Sequence, residues 1–209
     1  MGTATKILIA VVVLVLVIGL WAMGSYNALV GLQQSTDAQW AQVQNVYQRR
    51  ADLVPNLVST VAGAANFEKS TLIAVTEARA SVGKVQLPAD AAPTNAAQLA
   101  AFEQAQGQLG SALSRLLVVS ERYPDIKATT GFRDLQAQLE GTENRISVER
   151  GRFNAAVQAY DTAIRRFPSA MIAGMFGFGS RPYFTATPGS ETPPKVQFDF
   201  SATPAPAKP

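Results

Sequence analysis

Residues 7–23, ILIAVVVLVLVIGLWAM, form an unbroken apolar run without a charge, and the run limits what the rest of the chain can be. A helix rising about 1.5 Å per residue over this length just crosses a hydrocarbon core of ~30 Å. Trp21 then falls at a membrane–water interface, where indole rings concentrate. Ile7, Val13, Val17 and Trp21 mark the expected anchor, with residues 1–6 as a short N-terminal tail and the span over 7–24. The competing reading is a cleaved secretory signal. Met1–Lys6 fits its basic leader, but the run is long and Gly24-Ser25 offers only a weak small-x-small pattern. A retained single-pass anchor is favoured.

The remaining chain, about 180 residues, can bury one sizeable core. It holds no cysteine and no histidine, so thiolate chemistry, imidazole metal ligands and the commonest general base are excluded. The 18 basic and 15 acidic residues are interspersed, and a net charge of +3 does not make the clustered basic face that nucleic acid requires. The only side-chain cation before the run is Lys6, and the first after it is Arg49. This favours a cytoplasmic N-terminus and an extracytoplasmic body on a bacterial inner membrane.

From Tyr26 the spacing is helical. Leu29, Trp40, Val43 and Tyr47 make one apolar stripe, and the first helix is placed at about 25–51. Asp52 and Pro55 suggest a boundary, with Asp52 as cap and a second helix over 53–84. A continuous helix stays open, because the spacing 40, 43, 47, 50, 54, 57, 61 survives across Pro55. VQLPADAAPT at 85–94 reads as a loop, followed by helices at about 94–123, capped by Thr94, and 125–167. The expected fold is all-α: a transmembrane helix, an antiparallel four-helix bundle over 25–167, an apolar Gly/Met/Phe segment at 168–181, and an extended or disordered Pro-rich tail at 182–209. Within that tail Lys195–Phe200 could form a short strand.

Several longer stretches are similar to one family. They are Tyr26-Asn27-Ala28-Leu29-Val30 after the run, Gln48 through Val58 (QRRADLVPNLV), Glu77-Ala78-Arg79, Ser120 through Ala128 (SERYPDIKA) and Leu139 through Ile146 (LEGTENRI). Arg166-Phe167-Pro168 and Pro194-Lys195-Val196-Gln197-Phe198 continue the pattern. Together these resemble the LemA family over roughly residues 24–200. Arg152-Phe153-Asn154 stands where that family usually has Arg-x-Tyr-Asn, and Tyr160-Asp161 where Tyr-Asn is usual. The resemblance implies a bacterial single-pass membrane protein with a four-helix body. It brings no catalytic mechanism.

Two polar groups and one apolar segment stand out. Glu140, Glu143, Asn144, Arg145, Glu149 and Arg150 lie mid-way along the last long helix, with Glu143–Arg150 and Arg145–Glu149 at helical spacing. An ion-paired helix surface accounts for them, while the sharper alternative is a carboxylate metal site in an enzyme or regulator. Helical di-metal sites use Glu-x-x-His, so the missing histidine weighs against it. Arg49 and Arg50, at the expected first turn, read as helix-end charges or as a docking patch. Ser169–Phe178 is apolar and too short to span a bilayer. Met171, Ile172, Met175, Phe176 and Phe178 either cap the bundle, meet a partner or enter the membrane interface.

The resulting expectation is a non-enzymatic, membrane-anchored scaffold that forms a homo-oligomer or gathers other envelope proteins. Membrane lipid is an expected partner, with no cofactor, no nucleic acid and no small-molecule substrate. An adaptor or regulator of a membrane protease is the alternative. Four alternating helices would bring Tyr26–Leu32 and Phe167–Phe178 to the membrane-proximal end, with Met171–Phe178 at the interface. A helix running straight through Pro55 would overturn that arrangement.

Overall fold

A computed structural model describes residues 2–63, 68–85, 87–88 and 91–186. These are helical throughout their regular structure, with no strand among the described residues. The expected strand at Lys195–Phe200 and the tail beyond residue 186 lie outside them. The elements are α1 (Thr3–Ala62), α2 (Lys69–Lys84), α3 (Ala96–Ser120), α4 (Pro124–Ala128), α5 (Thr130–Arg165) and α6 (Ser169–Phe176).

α1 corrects the expected boundary at Asp52. It is one helix of 60 residues that carries the apolar run, passes through Pro55 and ends at Ala62. Proline in a helix interior removes the N–H that would bond the carbonyl four residues earlier. Here that carbonyl belongs to Ala51, and it accepts a hydrogen bond from Arg79 Nε of α2 at 3.0 Å. The orphaned acceptor is thus satisfied from the neighbouring helix, as a buried backbone group must be. Asp52 does not cap. It is exposed and accepts from Gln48 Nε2 at 2.8 Å. The turn derived at Pro55 is overturned, which is the condition set against a membrane-proximal Met171–Phe178. The chain instead turns back after Ala62, with α2 along α3, so the alternation of helix directions is kept and Tyr160 and Ile164 of α5 still meet Leu29.

Two other ends differ from the sequence reading. Asn95, not Thr94, caps α3: its side chain accepts the Gln98 N–H at 2.9 Å, while Gln98 Oε1 takes the Thr94 N–H at 3.0 Å. The expected helix at 125–167 is broken at Thr129, whose hydroxyl oxygen accepts the Phe132 N–H and starts α5. Pro124 sits at the first turn of the short α4, where its missing N–H costs nothing.

α1 and α5 form one close antiparallel pair, and α2 and α3 another. Three buried clusters follow the long axis. Nearest the apolar run are Leu29, Tyr160, Ile164, Ile172 and Ala173. The middle is aromatic, with Trp40, Tyr47, Phe102, Phe153 and Phe184. The far end is aliphatic, built on Leu53, Leu57, Val61, Val75, Leu109 and Leu116 with Phe132. The stripe read from spacing, Leu29, Trp40, Val43 and Tyr47 and on through positions 54, 57 and 61, supplies the α1 side of all three clusters.

Candidate functional site

Arg50 and Arg49 are adjacent on α1 but have opposite environments. Arg50 points inward and is 4% exposed. Its guanidinium donates to Glu143 Oε1 of α5 at 2.7 Å, and to the Gln106 side chain (2.6 Å) and carbonyl (3.0 Å) of α3. It also lies 5.1 Å from the centre of the Tyr47 ring. One side chain therefore joins α1, α3 and α5, and Arg50 is not available as the exposed docking residue expected from sequence. Arg49 is exposed and lines a groove of about 280 Å³ with Gln138, Gly141, Thr142 and Arg145.

Beside Arg50 lies a cleft of about 450 Å³, lined in part by Tyr47, Glu103, Gly107, Glu143 and Arg150. Arg150 pairs with Glu103 at 2.7 Å, not with Glu143 as helical spacing suggested, and Glu149 pairs with Arg152 at 2.8 Å, not with Arg145. Burial raises the Glu103 carboxyl pKa, and the Arg150 charge opposes that shift. Burial likewise raises the Tyr47 phenol, against Arg150 and Arg50. The cleft's two carboxylates are each engaged by a guanidinium from another helix. Glu140 accepts from Gln136 at 3.1 Å. Among the described residues no group of three or more acidic side chains is gathered as a metal would need.

The second polar construction was not visible in the sequence. Gly177 adopts φ 74°, a left-handed conformation that favours glycine, and closes α6 while Phe178 N–H returns to the Ala173 carbonyl at 2.9 Å. The chain then runs back along α5 as a strap over residues 178–186. Asp161 accepts from the Arg181 N–H (3.1 Å) and the Ser180 hydroxyl (2.5 Å). Asn154 makes a paired contact with Phe184, donating to its carbonyl and accepting its N–H, each at 2.9 Å. Arg150 donates to the Thr185 carbonyl at 3.3 Å and lies over the Phe184 ring.

Positions 150, 154 and 161 recur on one face of α5, so the helix presents a row of strap-holding groups. Arg181 crosses to the opposite side. It donates to the Ala92 carbonyl at 2.7 Å and lies 3.9 Å from Asp37 of α1, which itself accepts the Ala92 N–H at 2.8 Å. Phe184 is delivered into the aromatic cluster, 5.5 Å from Phe153 and 6.1 Å from Trp40. Phe153, which keeps the ring but not the hydroxyl of the expected Tyr, touches Phe184, and Asp161, standing where Asn was expected, accepts from Ser180 and Arg181. Both serve this strap.

The remaining expected residues lie at the ends of α1 and α6. Ile7, Val13 and Val17 are exposed along the run, and Trp21 is at its end. The apolar part of α1 is long enough to cross a membrane, and no residue of its apolar window is buried, though Ala22 near its end is partly covered by the body. Within α6 Ile172 is buried whereas Met171, Met175 and Phe176 are exposed, and Phe178, just beyond its end, is half-buried. Tyr26 stands against Phe176 and Phe178, with ring centres 4.9 and 5.6 Å away.

A chain whose regular structure is all helical among the described residues, with one long apolar N-terminal helix and a packed body, defines a class of candidate single-pass membrane proteins. The chain belongs to the LemA family, which it matches over residues 39–198. It is similar to magnetosome proteins MamQ 2 and MamQ 1 of Paramagnetospirillum magneticum, each 28% identical over 189 residues, covering 80% of this chain and 67% of the relative. Magnetosome protein MamQ of Magnetospirillum gryphiswaldense is 27% identical with the same coverage.

Proposed function

We propose that the chain is a non-enzymatic, membrane-anchored helical scaffold of the bacterial cell envelope. Its four long helices act as one antiparallel bundle that self-associates. The observation that carries this reading is α1 itself, a single helix shared by the apolar run and the core of the body. A structure whose anchor is also its central helix couples membrane position to body position without a linker. The interior charged groups support it further: Arg50, Glu103, Arg150, Asp161 and Arg181 are spent on holding elements together. The designation of the relatives as magnetosome proteins names no catalytic activity and suits a structural role. The body lies outside the cytoplasm in this reading, on the strength of Lys6 before the run.

Native mass of the detergent-solubilised protein tests it. Discrete multiples of the 22.2 kDa chain are expected. A strictly monomeric species with no co-purifying polypeptide overturns it. The adaptor reading draws on one feature, the groove where exposed Arg49 and Arg145 face outward without an ion pair among the described residues. Arginine at such a rim suits an acidic segment of another protein, a membrane protease included. Cross-linking in intact cells decides between them, since self-assembly yields only this chain and an adaptor yields a different one.

A further inference from the structure

The side of the body that faces back toward the apolar run has an unusual surface. α6 turns Ile172 and Ala173 inward against Leu29, and the same cluster takes in Ala22, which lies inside the run. α6 therefore lies level with the stretch from Ala22 to Leu29, where the run ends and the body begins. Its other face leaves Met171 62% and Met175 75% exposed; Phe176, on the side of Ile172 and against Tyr26, is still 58% exposed, and Phe167 just ahead of the helix is 78% exposed. Large apolar side chains gathered this way are costly in water. Against Phe176 stands Tyr26, an amphipathic ring of the kind that collects at the headgroup level, and Trp21 lies at the end of the run on the same helix. Exposed Arg166 directly precedes Phe167, whereas Arg165 is held by Asp161 and Ser180.

We propose that α6 lies in the bilayer interface beside the transmembrane part of α1, with Phe167, Met171, Met175 and Phe176 in the headgroup–acyl boundary. Continuity with the run selects lipid as the occupant, because any cover for this face must sit at the depth where the run ends. The attachment then has two points, and the body cannot turn freely about the anchor. This rests on the reading of α1 as a retained anchor, and the test separates the two.

The chain has no native cysteine, so Met175→Cys and, at the far end, the 70% exposed Val118→Cys each carry a single nitrobenzoxadiazole probe in the full-length protein. Both are reconstituted in phosphatidylcholine–phosphatidylglycerol vesicles with spin-labelled lipid, and flotation in alkaline carbonate reports retention. The expected result is retention of both, with lipid quenching at 175 about threefold or more that at 118. Retained protein whose position 175 is open to aqueous iodide like position 118 overturns the inference and leaves the anchor standing. Protection at 175 from both quenchers also overturns it, in favour of a second copy covering the face. Protein that fails to float removes the anchor reading and the inference with it.

Discussion

Beyond Arg50 the body is closed by leucine and valine from four helices, with Phe132 and Ile126 sealing the end. On the side nearer the apolar run, α1 and α5 enclose aromatic rings, and a strap crosses them on hydrogen bonds to Asn154 and Asp161 and from its own Arg181 to the Ala92 carbonyl. The far half is thus held by non-directional burial, which tolerates substitution of similar volume. The near half depends on directional contacts, where one lost partner leaves a buried group unsatisfied. Two halves of similar helical content should therefore fail differently.

The largest effect is expected at the aromatic centre that joins them. Trp40→Ala removes a fully buried indole in contact with Phe102, Phe153 and Phe184, and should cost about 3–5 kcal/mol in urea unfolding. Leu109→Ala is the far-half counterpart at about 2–5 kcal/mol, with strap amides unaffected below the transition. Arg50→Ala should follow at about 2–3 kcal/mol, since a buried charged donor to three acceptors disappears while half-exposed Glu143 regains water. Loss of less than about half a kilocalorie there would mean the three-helix junction is ornamental.

Asn154→Ala is the sharper test of the contrast. It should cost about 1–3 kcal/mol and speed hydrogen exchange at the Phe184 amide while leaving the Leu109 amide unchanged. Equal acceleration at both would show that the halves are one cooperative unit. The smallest effect is a coupling. Arg79→Ala should destabilise by about 1 kcal/mol in the native sequence but much less when Pro55→Ala supplies an N–H for the Ala51 carbonyl. A double-mutant cycle of thermal unfolding measures the difference.

The same contrast explains what could be read from the sequence. Aliphatic and aromatic stripes are periodic, so Leu53 through Val61 and Phe132 through Ile164 announce their faces. Position 50 belongs to the register 40, 43, 47, 50, 54, 57, 61, and that register held both the burial of Arg50 and the continuity of α1 through Pro55. Treating arginine and proline as boundary residues hid this, because the compensating groups, Glu143, Gln106 and Arg79, lie far along the chain. The strap had no periodic signal at all. Asn154 meets Phe184 through backbone atoms, and Arg181 meets Ala92 through a carbonyl, contacts that any residue could offer. For the candidate site, α6 was legible as an apolar segment. Its division into a buried and an exposed face required the position of Leu29.

The continuity of α1 has a mechanical meaning. From Tyr26 to Ala62 the helix extends about 55 Å at its ordinary rise. With the run in a bilayer, a tilt of about 20° would carry the far tip sideways by ~19 Å. A change in bilayer thickness, which alters tilt, becomes a lateral sweep at Ala62 several times larger than the change itself. The helix is a lever whose short arm is in lipid and whose long arm carries the body.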